Sequence, residues 1–248
     1  RFVKPGMTIF DIGANIGYYP LLELSLLRGS GKVVCVEPAP DNVKLLKQNL
    51  ELNGYFGRLY GNMPVVQAAV SDKTTRRTFH LSEFSNLGTF HPVETSFTNG
   101  HSITVETTTI SQLADRYGNP DLIRMDIEGH EVEVIKSILK DTNKPIIVFE
   151  VHSDRYDDKH DFRPVLERLF KSGYKVEMLS STEPSATSYI VGNYSYLSGR
   201  TIKTDATYRT LFENVQNAAA IDLIHRINTV RTVVLKRPTL LSGGLSAR

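Results

Sequence analysis

Asp11, Gly13, Asn15 and Gly17 lie in the run Asp11-Ile-Gly-Ala-Asn-Ile-Gly17, between an apolar stretch, Met7 to Ile12, and a Leu-rich one, Leu21 to Leu27. Strand, glycine turn and helix in that order bring backbone close to a nucleotide-like ligand. A dinucleotide fingerprint would need G-x-G-x-x-G, with its third glycine packing the helix on the strand. That glycine is missing, and Asp11 would repel a pyrophosphate, so a nicotinamide dehydrogenase is the poorest reading. A carboxylate at the strand end suits an ammonium group instead. S-adenosylmethionine carries one, with a ribose, an adenine and no phosphate. An ordinary βα turn is the competing reading.

A second strand, Lys32 to Glu37, also ends in an acid. Glu37 stands about twenty residues beyond the turn, the distance at which a carboxylate accepts ribose hydroxyls. Pro38 cannot donate to a ladder and ends the strand. Asp41 or a neighbour caps the next helix, which carries Val43, Leu46 and Leu50 and stops at Asn53-Gly54. A third strand, Val65 to Val70, puts Ala68 and Ala69 where they would edge the adenine.

Two further stretches, Asp121-Leu-Ile-Arg-Met-Asp126-Ile-Glu128-Gly129-His-Glu131 and Val148-Phe-Glu150-Val-His152, complete a pattern. With the Asp11 turn and Glu37, they resemble the FkbM family of class I S-adenosylmethionine-dependent methyltransferases, over roughly Phe2 to Leu179. The resemblance implies a Rossmann-like α/β fold. It also implies methyl transfer to oxygen, with a sugar, glycan or natural-product hydroxyl as acceptor. Asp126-Ile-Glu-Gly stands where an amino-group methyltransferase would carry an Asn-Pro-Pro-Tyr-like tetrapeptide.

In open α/β sheets, ligands bind beyond the carboxyl ends of the strands. Asp11, Glu37, Asp126, Glu150 and His152 should therefore converge on one crevice. Cofactor binding is expected from Asp11, Gly13, Asn15, Gly17, Glu37, Ala69 and Asp126. A hydroxyl is a poor nucleophile until its proton leaves, so a base is needed. His152 and Asp126 are the two candidates, because histidine titrates near neutrality and an aspartate needs burial or a neighbouring acid to do so. Glu150 and Glu128 serve as partners. Alternatively, Asp126, Glu128, Glu150 and His152 hold a hard divalent cation such as magnesium. Direct binding of polyol hydroxyls is favoured over that metal. Glu131 reads as a first-turn helix acid, His130 as a partly exposed residue, and His91, His101 and His160 as loop histidines.

These residues need a scaffold. Strands are expected at Arg76–Leu81, Ser102–Thr108, Leu122–Asp126, Ile146–Val151 and Tyr174–Leu179, and helices at Ser111–Tyr117, His130–Leu139 and Phe162–Ser172. Alternating strands and helices predict a mostly parallel central sheet with helices on both faces. Ser82 to His101 is too long for a simple turn; it is a substrate loop or a solvated excursion. Residues 1–180 form the methyltransferase domain. Residues 181–248 form an extension of the same domain, serving as substrate cap, packing or oligomer contact. Within it, Ser180–Ser188 reads as loop, Tyr189–Tyr196 as strand, Asp205–Ile227 as helix, Arg231–Leu235 as strand and Ser242–Arg248 as loose. Tyr194, Tyr196 and Tyr208 pack, or form a sugar-stacking platform; packing is favoured.

With 248 residues, 40% of them hydrophobic, the chain can build one large core, and 29 basic against 27 acidic residues leave a net charge of +2. That balance argues against a nucleic-acid partner, although His225, Arg226, Arg231, Lys236 and Arg237 keep RNA ribose methylation as an alternative. A silent cofactor-binding or interaction domain is the other alternative. A single cysteine, Cys35, excludes an internal disulfide framework and a cysteine-cluster zinc site. No apolar run spans a membrane and no signal peptide is visible, so a cytoplasmic location is expected. The chain opens Arg1-Phe2-Val3 without an initiator methionine and enters its first strand almost at once, so a segment or domain upstream of Arg1 is expected.

Overall fold

The computed structural model describes residues 1–55, 63–84, 87–92, 98–158, 160–181, 183–204, 207–226 and 228–238. Its strands are β1 (Thr8–Ile12), β2 (Lys32–Val36), β3 (Val65–Val66), β4 (Ala69–Val70), β5 (Arg76–Ser82), β6 (Thr98–Thr108), β7 (Leu122–Met125), β8 (Ile146–Glu150), β9 (Lys175–Ser181), β10 (Gly199–Thr204), β11 (Thr207–Phe212) and β12 (Thr232–Lys236). Its helices are α1 (Tyr18–Leu27), α2 (Pro40–Leu52), α3 (Ile110–Tyr117), α4 (Glu131–Lys140), α5 (Arg163–Lys171), α6 (Pro184–Asn193) and α7 (Asn217–His225).

The main sheet runs β10-β11-β9-β12-β8-β7-β1-β2-β3. Strands β3, β2, β1, β7 and β8 pair in parallel. The pairings from β8 through β12, β9, β11 and β10 are antiparallel. The expected parallel character thus belongs to the half that carries the acids. Beyond it the sheet is mixed, because β9 to β12 follow one another by reversal. The parallel strands read as continuous apolar runs because both faces are covered: Phe10, Val34, Ile123 and Phe149 are all sealed from solvent. Residues beyond Leu179 complete this same sheet, since β12 lies between β8 and β9.

The third strand divides. β3 ends the main sheet beside β2, while β4 joins a small second sheet of order β4-β6-β5. The break falls at Gln67 and Ala68, which lets the chain step across the crevice. α1 begins at Tyr18, three residues before the Leu-rich stretch, because Gly17 takes a left-handed φ of 99° at its N-cap. A Cβ on Gly17 would stand 2.7 Å from Leu46 Cδ1 of α2, so the glycine sets how closely the two helices pack. Asp41 sits in the first turn of α2 and does not cap it; Ala39 is the N-cap.

The extension departs from its sequence reading. Pro184 to Asn193 is helical, where loop and strand were expected. Proline at the first position is compatible with that start. The stretch read as one helix from Asp205 is β11 followed by α7. Tyr208 is 62% exposed and Tyr196 47%, so two of the three tyrosines stay outside the core. Ser242–Arg248 lies outside the described residues. Among the described residues, no helix is long and apolar enough to cross a membrane.

Candidate active site

Because β1, β2, β7 and β8 run parallel, their carboxyl ends share one edge of the sheet, and a cleft of about 770 Å³ opens there. Gly13, Asn15, Glu37, Ala69, Asp126, Glu128, Glu150 and His152 all line it. Asp11 and Gly17 do not line it. Gly13 has a φ of 80°, and a Cβ there would collide with the Asp126 carbonyl oxygen, so the turn holds the ends of β1 and β7 together.

Asp11 and Arg124 are register partners on neighbouring strands, so their side chains share a face. The guanidinium reaches Asp11 Oδ1 at 3.1 Å and Asp126 Oδ2 at 3.0 Å. It also lies 3.7 Å from the centroid of the Tyr19 ring. Burial pushes the Asp11 pKa up and Arg124 opposes the shift. Burial disfavours the Arg124 charge too, but Asp11 and Asp126 outweigh it and raise its pKa. Asp11 is therefore a buried anchor for Arg124 beneath the cleft, and the sequence reading of a direct ammonium contact does not fit that placement.

Glu37 is held at the cleft wall by three donors. Its Oε2 accepts from the Asn15 amide at 2.9 Å, and its Oε1 accepts from the Ala39 amide at 3.0 Å and Asn42 Nδ2 at 3.2 Å. A carboxylate has about four acceptor positions, so one stays open for a ligand hydroxyl. Burial raises the Glu37 pKa, against the pull of those donors. Asn15, at a left-handed φ of 46°, carries a buried Oδ1 with no hydrogen-bond partner among the described residues. An orphaned carbonyl oxygen in a cleft calls for a donor such as an ammonium. Asn15, Glu37 and the apolar edge at Ala69 thus fit S-adenosylmethionine.

His152 follows β8. Its Nδ1 contacts Glu131 Oε1 at 2.9 Å. Its Nε2 is buried, without a hydrogen bond of normal geometry, and faces Glu128 at 3.4 Å, Asp126 at 3.5 Å and Glu150 at 3.9 Å. Burial works against a charged ring, but Glu131 and Glu128 outweigh it and hold the His152 pKa well above its ordinary value. That direction favours the charged ring, where the sequence reading expected a histidine needing little tuning. Glu150 is the group poised near neutrality. Burial and Asp126 raise its pKa to about 7, against Arg231 and His152.

Sequence reasoning missed four residues here. Glu131 does stand in the first turn of α4, but it is fully buried, and its Oε1 also accepts from the Ile127 and Gly129 amides at 3.3 and 3.4 Å. Tyr156 donates to Glu131 Oε2 at 3.3 Å. Arg124 had one visible signal, an arginine inside the apolar strand Leu122–Met125. Arg231 pairs with Glu150 at the cleft. The basic cluster it belonged to disperses, since Arg226 lies over Tyr189 and His225 faces Asp161. From the Ser82–His101 stretch, Ser82, Phe84, Leu87, Gly88 and Phe90 reach the cleft wall. Residues 85–86 and 93–97 of that stretch lie outside the described residues.

The Methyltransferase FkbM domain model matches residues 11–176. The chain belongs to the FkbM methyltransferase family. Its α/β sheet is the architecture the sequence resemblance implied. It is similar to the hexuronic acid methyltransferase AglP of Haloferax volcanii, 26% identical over 150 residues, which cover 58% of this chain and 56% of the relative. The chain therefore spans little more than half of AglP. Its similarity to the 2-O-methyltransferase NoeI of Sinorhizobium fredii is 27% over 183 residues, 67% of this chain and 72% of that protein. The crystal structure of an FkbM methyltransferase from Methylobacillus flagellatus is 18% identical, with a TM-score of 0.44 over 84% of this chain and 43% of its own.

Proposed function

We propose that the protein transfers a methyl group from S-adenosylmethionine to a hydroxyl of a sugar-like acceptor, in a glycan or a related natural product. The observation that carries this reading is the orphaned Nε2 of His152, buried among three carboxylates in the same cleft that Asn15 and Glu37 line. Polar atoms so arranged suit a polyol, whose hydroxyls both donate and accept. AglP is named for a hexuronic acid and NoeI for 2-O-methylation, which agrees with a sugar hydroxyl.

When bound, the cofactor supplies an electrophilic methyl group, so the protein's share of the work is alignment and proton removal. Glu37 accepts from a ribose hydroxyl and Asn15 Oδ1 from the ammonium. Arg124 keeps Asp126 fixed at the cleft wall. The acceptor hydroxyl lies between His152 and Glu150. Glu150 takes its proton, because a carboxylate near pKa 7 is both available and basic at neutral pH. The His152 imidazolium holds the acceptor oxygen by donating from Nε2. Asp126, Glu150 and His152 also offer ligand atoms within 4.8 Å of one another, a set that could surround a divalent cation once the His152 proton is displaced; direct contact of these groups with the acceptor hydroxyls is the favoured reading. The reaction is assigned to the cytoplasm, where the cofactor is made.

Titration calorimetry with S-adenosylmethionine and S-adenosylhomocysteine tests the cleft, and labelled methyl transfer to uronic acids and neutral sugars tests the acceptor class. Binding of both cofactor forms, followed by alkali-stable label on a sugar, is expected. A folded chain that binds neither overturns the reading.

A further inference from the structure

Outside the proposed transfer centre, three histidines and a glutamate converge. His91 lies in the excursion after β5, His130 precedes α4, Glu133 lies in the first turn of α4, and His160 precedes α5. One donor atom from each lies within 4.8 Å of the others. His91 Nε2 stands 3.1 Å from His130 Nδ1, His130 Nδ1 stands 3.4 Å from Glu133 Oε2, and His160 Nε2 stands 2.7 Å from Glu133 Oε1. Donors around tetrahedral zinc, at bonds of about 2.0–2.1 Å, are themselves about 3.3 Å apart. Two of these contacts, at 3.1 and 3.4 Å, fall near that edge length, and the four ligand atoms lie within 4.8 Å of one another, close enough to draw together around one ion.

We propose that His91, His130, Glu133 and His160 form a zinc site that pins the excursion after β5 to α4 and to the segment before α5.

The chemistry of the donor set agrees. Three imidazoles and one carboxylate suit zinc, and four protein ligands make a closed, structural site. The second nitrogen of His130 is already engaged: its Nε2 contacts Ser71 Oγ at 3.2 Å, so Nδ1 is the nitrogen that faces the cluster. Two of the donor atoms, Glu133 Oε2 and His160 Nε2, are buried without a hydrogen bond among the described residues. His130 is 1% exposed, so its ring is packed in place rather than loose at the surface. Phe90 lies 4.8 Å from the His130 ring, and both line the cleft, so the metal would hold that wall as well as the fold around it. The proposal stands apart from methyl transfer, since none of the four residues belongs to the proposed proton-transfer group.

The test is metal content and cobalt spectroscopy on the full chain. Protein dialysed against zinc and then metal-free buffer is expected to keep one zinc per chain. Cobalt in its place should give the intense visible absorption of a tetrahedral site. His91→Ala and His160→Ala, at half-buried positions that should still fold, are expected to lose both signals. Glu150→Gln is expected to keep both, which separates this cluster from the Asp126, Glu150 and His152 group. Wild-type protein that retains no zinc overturns the proposal. So does zinc that persists in His91→Ala and His160→Ala, or that disappears in Glu150→Gln.

Discussion

His152 Nδ1 lies 2.9 Å from Glu131 Oε1, and both side chains are buried. The carboxylate fixes which nitrogen faces inward and keeps the ring charged. Glu131→Gln retains an acceptor but removes the charge. Methyl transfer should fall about 10²-fold, the lower end of a positioned acid–base group's contribution. Cofactor affinity should be unchanged, because Glu131 is not among the residues that line the cleft. Single-turnover rates set beside calorimetry check both halves.

Glu150 sets the pH dependence. It must be unprotonated to accept the hydroxyl proton, and its pKa is pushed up to about 7. The rate kcat/KM should therefore rise with pH through about 7 and then level off. Arg231 pulls that pKa down, so Arg231→Ala should move the rising limb to higher pH. Glu150→Gln should abolish the limb and cost about 10²–10⁴-fold in rate. A full profile on the three proteins decides the matter, and an unmoved limb in Arg231→Ala would take the role away from Glu150.

Asp11 and Glu37, two acids at neighbouring strand ends, should fail differently. Asp11→Ala leaves the Arg124 guanidinium buried with half its partners. Breaking a buried pair from one side costs about 3–5 kcal/mol, so the melting temperature should drop sharply. Glu37→Ala empties a cleft-wall position that water can refill. Its fold should persist while S-adenosylmethionine binds about 10–100-fold more weakly. Thermal melts and calorimetry on both variants separate a structural acid from a binding one.

Gly13→Ala should be poorly folded. Its φ of 80° strains any L-residue, and the added methyl would meet the Asp126 carbonyl oxygen, which is backbone and cannot swing aside. Soluble yield and circular dichroism read the outcome.

Part of the cleft was legible because its signals are local. A strand, its terminal acid and the following glycine turn lie within a dozen residues, so Gly13 and Glu37 could be placed at the strand ends that line the cleft, whereas Asp11, equally visible in sequence, lies buried and does not line it. The partner of Asp11 was not legible, because it comes from a strand more than a hundred residues away. Arg124 meets Asp11 only once β1 and β7 are in register. His130 and Glu131 were underrated for a related reason. Both adjoin the start of α4, where solvated acids are common, and only the packed loops after β8 and β5 reveal that they are buried. α6 was missed because its apolar pattern is thin: of its ten residues, only Ala186 and Ile190 are buried. β11 was mistaken for helix because Leu211 and Val215 fall at a helical interval, while Thr207, Tyr208, Thr210 and Phe212 favour an extended chain.

β12, late in the sequence, occupies a central place in the sheet, with Val233, Val234 and Leu235 sealed between β8 and β9. During synthesis, β8 must therefore wait with an unpaired edge until the ribosome has passed Lys236. An unsatisfied edge strand is a template for pairing with another chain. The acids of the cleft are anchored on that same waiting strand and its neighbours. Assembly of the site is thus a late event, governed by long-range closure rather than by the local turn that names it. Nascent chains stalled before Thr232 are the species that chaperones would have to shield.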